Sequence, residues 1–473
     1  LQREAAAEHG YKRTLGPMQL ISLGIGSVVG AGIFVLAGTS AAQYAGPAIA
    51  LSFIISGIAC LFAGLCYAEL ASMIPVSGSA YTYSYATLGE LLAWVVGWCL
   101  VLEYLFSGAA VAVSWSGAVR DVFAEFNVIL PKVISSAPLA VENGHLVTTG
   151  ALINFPAVFI SLALSYVLYI GIKESAGFND IMVLTKVGIL IALIGYGVWY
   201  MFKNPEIAKA NLAPLIPDNT GTFGEYGWSG VFRGAAAIFF AYVGFDCVSS
   251  AAQETKNPQR DMPIGLLGTL GAVTVLFVGV SVVLTGMVNY KELNVDAPFI
   301  FALQHVQAPA FFRYLIEAAT IAGLTSVILV SLLGQPRIFY SMSRDGLLPK
   351  SFAKIHPRYG TPHITTWITG ISCAVIAGLF PLDLLGELIS IGTMLAFALV
   401  CAGVWVLRRT RPDLPRPFKT PLVPLVPILG IASCALQMYF LPLITWVNLA
   451  IWMGLGLAIY FGYSRKNSAL ASR

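Results

Sequence analysis

The stretch that decides the fold is ISLGIGSVVGAGIFVLAG, residues 21–38, in which glycines lie inside a long apolar run. Gly24, Gly26 and Gly30 come close to the spacing of a dinucleotide-binding turn, which also needs a preceding strand, a following helix and an acidic residue about 20 positions on. None of these accompanies the stretch. Residues 18–44 instead carry no charge, and an apolar run of this length crosses a bilayer as a helix. The glycines are therefore predicted in mid-membrane.

The composition of the whole chain is that of a polytopic membrane protein. Of its 473 residues, 57% are hydrophobic and 11% are charged, whereas soluble domains carry about 25% charged residues. All seven cysteines fall in apolar segments without CxxC pairs or a nearby histidine, so neither a metal site nor a disulfide framework is expected. The N-terminal segment lacks the apolar region of a secretory signal, and the first span is expected to stay in the mature chain.

Apolar runs of spanning length predict about twelve transmembrane helices and an all-α polytopic fold. The predicted spans are 18–44, 47–73, 85–119, 153–172, 178–202, 228–254, 262–288, 315–343, 363–381, 383–407, 421–441 and 444–463. An even number of spans puts both termini on one side. Basic clusters at 344–358 and 408–419 place that side in the cytoplasm by the positive-inside rule, in the cell membrane. The polar outer loop 121–152 suggests no function.

Two of these spans have the features of interrupted helices. In span 1, the small residues from Gly26 to Gly32 have low helix propensity, although a small-residue packing seam is the alternative. Span 6 contains IFFAYVGFD, residues 238–246, in which a lone glycine precedes a mid-span carboxylate that must face protein or water. Spans 1 and 6 are where an inverted five-plus-five repeat places its discontinuous helices. The N-terminus of a second half-helix attracts an anion, here a substrate carboxylate.

This interpretation divides the chain into two repeats and their flanking segments. These are a cytoplasmic N-terminal segment at 1–17, a first repeat with helices 1–5 at 18–202, a second inverted repeat with helices 6–10 at 228–407, helices 11–12 at 421–463 and a cytoplasmic tail at 464–473.

Four motifs occur in order along the chain, at the corresponding spans. They are GSVVGAGIF in span 1, GWCLVLEY in span 3, FFAYVGFD followed by ETKNPQRDMP after span 6, and GQPRIFYSMSRDGLLP after span 8. Together they resemble the amino acid–polyamine–organocation (APC) superfamily of transporters, most closely the cationic amino-acid transporters, over residues 18–463. About twelve spans, against fourteen in animal members, point to a bacterial type. The resemblance implies a leucine-transporter-like fold with broken helices 1 and 6.

The resemblance also implies how backbone groups at the two breaks bind substrate. The N–H groups of Ala31 and Gly32 take the α-carboxylate, and Gly30 permits the close backbone approach. The carbonyls of Val28 and Val243 take the α-ammonium, because unwound backbone offers free donors and acceptors in a protein-lined cavity. Plain packing is the alternative for both valines.

Side chains matched by the same resemblance would surround the substrate. Phe240 contributes a carbonyl to the ammonium and closes its ring over the outer pathway, although a core or lipid-facing aromatic is the alternative. Glu103 receives a cationic head group or makes a helix–helix polar contact. Ser331, where many bacterial relatives carry methionine, leaves room for an arginine-sized side chain or simply packs. The pocket residues implied are Glu103, Ser107, Ala110, Val330 and Ser331.

Lys186 is the only Lys or Arg well inside an apolar span. A bare ammonium there is costly, so it should face the bundle and pair or lose its proton, unless it snorkels to the inner surface. In sodium-coupled members of the wider fold an ion joins carbonyls of span 1 to hydroxyls of span 8. The resemblance implies that Lys186 replaces this ion as the proton-coupling group, bridging the carbonyls of Gly26 and Val29 to Thr325 and Ser326.

The predicted function is proton-coupled secondary transport of L-amino acids, cationic ones such as arginine and small neutral ones such as alanine. An exchanger or uniporter without proton coupling and a non-transporting amino-acid sensor are the alternatives. Asp246 is interpreted as the N-cap of the second half of span 6, with a proton-sensitive gate as the alternative. The chain has no P-loop for ATP, and its scattered histidines argue against an enzyme. No cofactor, metal or nucleic acid is indicated, while membrane lipid is expected and a small membrane accessory subunit is left open.

Overall fold

The computed structural model describes residues 15–74, 79–142, 145–171, 176–295 and 297–468, and helices dominate these ranges. Eight helical segments are long and apolar enough to cross a membrane, and four further apolar helices are shorter. The protein is therefore an all-helical, multi-pass membrane protein.

The main helices, including one short connecting helix, are numbered in chain order. They are α1 (Pro17–Val28), α2 (residues 32–45, a continuous run of π- and α-helical turns), α3 (Ile49–Met73), α4 (Ser79–Thr87, a short connecting helix), α5 (Glu90–Glu125), α6 (Phe155–Tyr169), α7 (Ala176–Lys203), α8 (Gly227–Ile238), α9 (Pro258–Met287), α10 (Ala310–Arg344), α11 (His363–Leu379), α12 (Leu382–Thr410), α13 (Leu425–Tyr439) and α14 (Leu443–Ile459). Two 3₁₀ segments, Phe239–Tyr242 and Phe245–Glu254, follow α8.

The outer loop differs from the prediction in two ways. Helix α5 continues to Glu125, six residues past the predicted end of span 3. The loop then forms a small antiparallel hairpin of β1 (Leu139–Glu142) and β2 (His145–Thr148), which is an addition to the helical membrane fold. Short helices at Lys132–Ser135, Pro205–Leu212, Pro298–His305 and Arg465–Asn467 complete the connections.

The helices pack as two groups with two bridging helices. In the first group, α9 packs extensively on both α1 and α3, and α8 packs on α3. In the second group, α10 packs along α5, α11 packs along α6, and each of these helices also touches the others of the group. Helix α7 joins the groups by contacting α1, α9 and α10, while α12 contacts α3, α5 and α8. The breaks described below lie where the groups meet.

A buried carboxylate ties the C-terminal ends of α3 and α12 together. Glu69 of α3 is fully buried and accepts hydrogen bonds from Arg408 Nε and Nη2, both at 2.8 Å. It also accepts from Arg416 Nε at 3.1 Å and from the Thr420 backbone N–H at 2.8 Å. Four donors satisfy the charge, so the basic segment after α12 is held against α3.

We expect Glu69→Ala to destabilise the protein by about 3–5 kcal/mol, because it leaves two arginines packed without their shared counter-charge. Thermal unfolding in detergent, followed by tryptophan fluorescence, measures the change. Glu125→Ala is the matched control, since Glu125 pairs with Arg313 at 3.8 Å in a partly exposed site and such pairs contribute about 0–1 kcal/mol. Equal losses of stability in both variants would contradict the assignment.

Candidate functional site

The helix of the first span is interrupted where the run of small residues predicts it. Helix α1 ends at Val28, and Val29 leaves helical geometry with φ −73° and ψ 96°. The next helical turn starts from the Gly30 carbonyl, which accepts from the N–H groups of Ile33 and Phe34, each at 3.2 Å. The first N–H groups of a helix have no helical acceptor. Those of Ala31 and Gly32 are therefore positioned at a half-helix N-terminus.

The sixth span is interrupted by a tight turn. Val243 (φ −59°, ψ 135°) and Gly244 (φ 108°, ψ −11°) have the dihedral angles of the two central residues of a type II turn. The second of these positions requires a positive φ, which glycine adopts without steric cost. The same glycine touches the first span, since a Cβ added to it would lie 3.2 Å from the Ser27 carbonyl oxygen. The two breaks therefore face each other.

Gly32 brings the backbones of the two interrupted spans into direct contact. A Cβ on Gly32 would lie 2.3 Å from Cα and 2.8 Å from N of Ala241, which is closer than any side chain can approach. Gly30 has more room, because a Cβ there would lie 3.2 Å from a methyl group of Val327 on α10. Ala241 itself belongs to the 3₁₀ segment just before the turn. Only glycine at position 32 permits this packing.

Helix α12 packs against the break in span 6. Ser390 Oγ accepts a hydrogen bond from the Phe240 backbone N–H at 3.1 Å. One turn earlier, a Cβ on Gly386 would lie 3.8 Å from the Phe240 ring and 3.2 Å from Leu36 of α2. The Phe240 side chain is 5% exposed. Phe240 thus fills the space between α2 and α12 beside the break in span 6.

Lys186 of α7 reaches the first break from the side. Its side chain is 1% exposed, and Nζ donates to the Gly26 carbonyl at 2.8 Å. The lysine stem packs on Gly323 of α10, where a Cβ would lie 3.3 Å from Cγ. The snorkelling alternative is therefore wrong, because the ammonium turns inward to a backbone acceptor.

The two hydroxyl residues beyond Gly323 have other hydrogen bonds. Thr325 Oγ1 donates to the Ile321 carbonyl at 2.8 Å and accepts from the Trp115 indole at 3.0 Å. Ser326 Oγ donates to the Gly323 carbonyl at 3.2 Å. The structure thus brings Lys186 to the carbonyl of Gly26 and to the turn that carries both hydroxyls.

Comparison with known proteins identifies the family. A model of the amino acid permeases, a family of the APC superfamily, matches residues 15–462. The chain belongs to the amino acid permease family. It is therefore a transporter-family protein and not an enzyme, and the family implies a leucine-transporter-like fold.

Three relatives show how broad this permease family is. A methylthioribose transporter of Bacillus subtilis is 45% identical over 97% of this chain and 95% of its own length. The branched-chain amino acid permease BcaP of the same organism is 44% identical over 98% of this chain and 96% of its own length. A vacuolar cationic amino acid transporter 4 of Arabidopsis thaliana is 36% identical over 86% of this chain and 65% of its own length.

Glu103 of the permease lies deep between α5, α12 and the second half of span 6. It is 1% exposed, and Thr393 Oγ1 of α12 donates to its Oε2 at 2.9 Å. Its carboxyl group also lies within hydrogen-bonding reach of Asp246. Two adjacent buried carboxylates repel each other, and either a shared proton or a cationic group relieves that repulsion. This arrangement can accept a positive charge.

The interpretation of Asp246 as a helix cap is wrong. The N-cap of the segment Phe245–Glu254 is Gly244, without any side-chain cap. The segment begins directly after the type II turn, so Asp246 lies inside its first turn. Its Oδ2 instead accepts from Ser79 Oγ of α4 at 3.4 Å. The sequence could not show this contact, because it joins residues far apart in the chain.

Ser331, one of the predicted pocket residues, lies where α5 packs against α10. Ser331 is 6% exposed, and its Cβ would lie 3.5 Å from a Cβ added to Gly108. The Cys373 thiol of α11 lies 3.3 Å from the same point. Ser107 and Val330, the neighbours of this contact in sequence, are partly exposed. Ala110, also on α5, is buried.

Sequence reasoning missed a largely buried charged pair between α8 and α12. Arg233 counts among the outer basic residues by position, yet it is only 7% exposed. Its guanidinium donates to Glu387 of α12. The available signals were a basic residue five positions after the start of one predicted span (228–254) and an acidic residue four positions after the start of another (383–407).

We expect Gly32→Ala to weaken amino-acid binding roughly 5- to 150-fold, because overpacking at a backbone contact costs about 1–3 kcal/mol. Substrate-induced thermal stabilisation of the purified protein measures the affinity. Gly271→Ala on α9 is the matched control, since an added Cβ there meets nothing within 4 Å. Unchanged affinity in Gly32→Ala would place the substrate away from the first break.

Proposed function

We propose that the protein is a proton-coupled secondary transporter of L-amino acids that works by alternating access. The observation that carries this proposal is the inward-turned Lys186, whose ammonium donates to Gly26 just before the first break. The break supplies a half-helix N-terminus for a substrate carboxylate, and the lysine supplies a group that can hold a proton beside it. Family membership supports amino acids as the substrate class.

The proposed architecture has twelve spans in two inverted repeats of five, with both termini in the cytoplasm. The division into α1, α3, α8 and α9 on one side and α5, α6, α10 and α11 on the other supports it. In the predicted series, the first group corresponds to spans 1, 2, 6 and 7. The second group corresponds to spans 3, 4, 8 and 9. Such groups move relative to each other around a central site in transporters of this kind.

Coupling follows from the position of the lysine between the groups. A protonated Lys186 donates to Gly26 and so fastens α1 to α7 and α10. Loss of the proton towards the cytoplasm weakens this bond, because a neutral amine is a poorer donor than an ammonium. Helix α1, the inner half of span 1 in this orientation, is then free to move and open the site inward. Substrate and proton are thus released on the same side.

For the substrate we propose small neutral amino acids such as alanine together with cationic ones such as arginine. The carboxyl groups of Glu103 and Asp246 support a cationic side chain, since they lie together and are fully enclosed. The small side chain of Ser331 supports a substrate with a long side chain, because it leaves room for one. Branched-chain amino acids are the second candidate, because the relative BcaP, 44% identical, is named for them.

Uptake of a labelled amino-acid panel into proteoliposomes, with and without an inward proton gradient, tests the proposal. The panel includes alanine, arginine, leucine and valine, with methylthioribose as a competitor. Accumulation of alanine that requires the gradient supports proton coupling. Equal exchange without the gradient favours an exchanger or uniporter, and binding without flux favours a sensor.

Lys186→Ala should abolish gradient-driven accumulation and leave amino-acid affinity within about threefold of the parent, because the lysine ammonium donates to the Gly26 carbonyl of helix α1. Lys203→Ala, at the exposed outer end of the same helix, controls for loss of a positive charge and should accumulate normally. Both variants are assayed by alanine uptake and by binding. Normal gradient-driven uptake by Lys186→Ala would disprove the coupling role.

Ser331→Met should reduce arginine affinity roughly 5- to 150-fold and leave alanine affinity nearly unchanged, because the added volume removes room for a long side chain at a cost of about 1–3 kcal/mol. Competition by both amino acids against labelled alanine measures this. Leu332→Met, on the neighbouring buried residue, adds a methionine at nearly constant volume and is the control. Equal losses for arginine and alanine would show that Ser331 acts through folding, and unchanged arginine affinity would remove it from the pocket.

A further inference from the structure

A second set of charged groups lies between the outer ends of four helical segments. Arg233 of α8 donates through Nη2 to Glu387 Oε1 of α12. Its guanidinium carbon lies 4.5 Å from the centre of the Tyr44 ring of α2. Thr445 Oγ1 of α14 donates to the other oxygen of Glu387 at 2.6 Å. The pair is 9% and 13% exposed at its two side chains, so water screens it little.

This pair is coupled to the candidate substrate site through adjacent residues of α12. Gly386, next to Glu387, packs on both Phe240 and Leu36. Ser390, three residues beyond Glu387, holds the Phe240 N–H. A cavity of about 10 Å³ beneath the pair, lined in part by Thr39 of α2, has room for one water molecule. The ion pair, the small cavity and the Phe240 contacts therefore lie together between α2, α8 and α12.

We propose that Arg233 and Glu387 form the latch of the outer gate, which must separate before an amino acid can enter from outside. The proposal rests on the proposed transport function. Helices α2 and α8 continue the two broken spans that hold the substrate, while α12 lies across from them. An ion pair between these elements crosses the pathway.

The chemistry of the latch suits a contact that opens and closes. An arginine–carboxylate hydrogen bond is charge-assisted, and the Tyr44 ring adds a cation–π contact to the same guanidinium. Asp383 lies one turn before Glu387 and is exposed beside the small cavity. It offers Arg233 a second carboxylate when α8 moves, while Glu387 keeps the hydrogen bond from Thr445.

The test uses Ser40→Cys as a reporter beneath the latch, because Ser40 is buried, lines the same small cavity and differs from cysteine by one atom. All seven natural cysteines are buried, so a membrane-impermeant charged thiol reagent should react mainly with the reporter in proteoliposomes. Glu387→Gln removes the charge and retains an oxygen for Thr445. We expect it to raise the rate of labelling roughly tenfold, which corresponds to about 1.4 kcal/mol. Arg233→Ala should raise the rate by a similar factor.

The exchange of both charges is the decisive variant. Arg233→Glu combined with Glu387→Arg should return labelling to within about threefold of the reporter protein, because the pair is rebuilt in reverse. Arg313→Ala is the matched control: this outer arginine pairs with Glu125, and its loss should leave the labelling rate unchanged. Unchanged labelling in both single variants, or no recovery in the exchanged variant, would overturn the latch. Labelling requires no flux, so a failure of transport in the parent protein would not alter this result.

Discussion

The structure depends on the contact between Gly32 and Ala241, where two interrupted spans meet backbone to backbone. A Cβ at position 32 would lie 2.3 Å from Cα of Ala241. Because the contact excludes any side chain, the helix starting at Gly32 is fixed against the turn that ends at Gly244. Backbone groups that a continuous helix would satisfy internally are thereby concentrated inside the membrane, where unpaired polar groups are costly. A substrate carrying both a carboxylate and an ammonium can satisfy them.

The buried charges of the protein fall into sites with different consequences. Glu69 is fully buried with four donors, and it fastens the C-terminal ends of α3 and α12. Lys186 binds a backbone carbonyl beside the first break. Glu103 and Asp246 are two carboxyl groups close together. A saturated site serves stability, whereas sites with one sign of charge in excess can bind or release a proton or a cation.

The sequence was sufficient for features that local chemistry determines. The uncharged run with glycines and the lone Gly244 before a carboxylate each mark a helix break, because both combine weak helix formers with a membrane setting. Lys186 was predicted to turn inward since a bare ammonium cannot face lipid. Tertiary contacts determine the rest. The partners of Asp246 and Arg233 lie far away in the chain. The hairpin lies in the polar loop 121–152, where the apolar runs that mark transmembrane helices give no information.

The central claim is that the first break binds the substrate carboxylate through backbone N–H groups of Ala31 and Gly32. The most direct test compares alanine with alaninamide, which keeps the ammonium and the methyl group but has no carboxylate. Inhibition of labelled-alanine binding by each compound is measured on the purified protein. The account predicts that alaninamide competes at least about 100-fold more weakly, since losing a charged partner for buried donors costs about 3 kcal/mol. Equal competition by the two compounds would show that the carboxylate does not bind at the break.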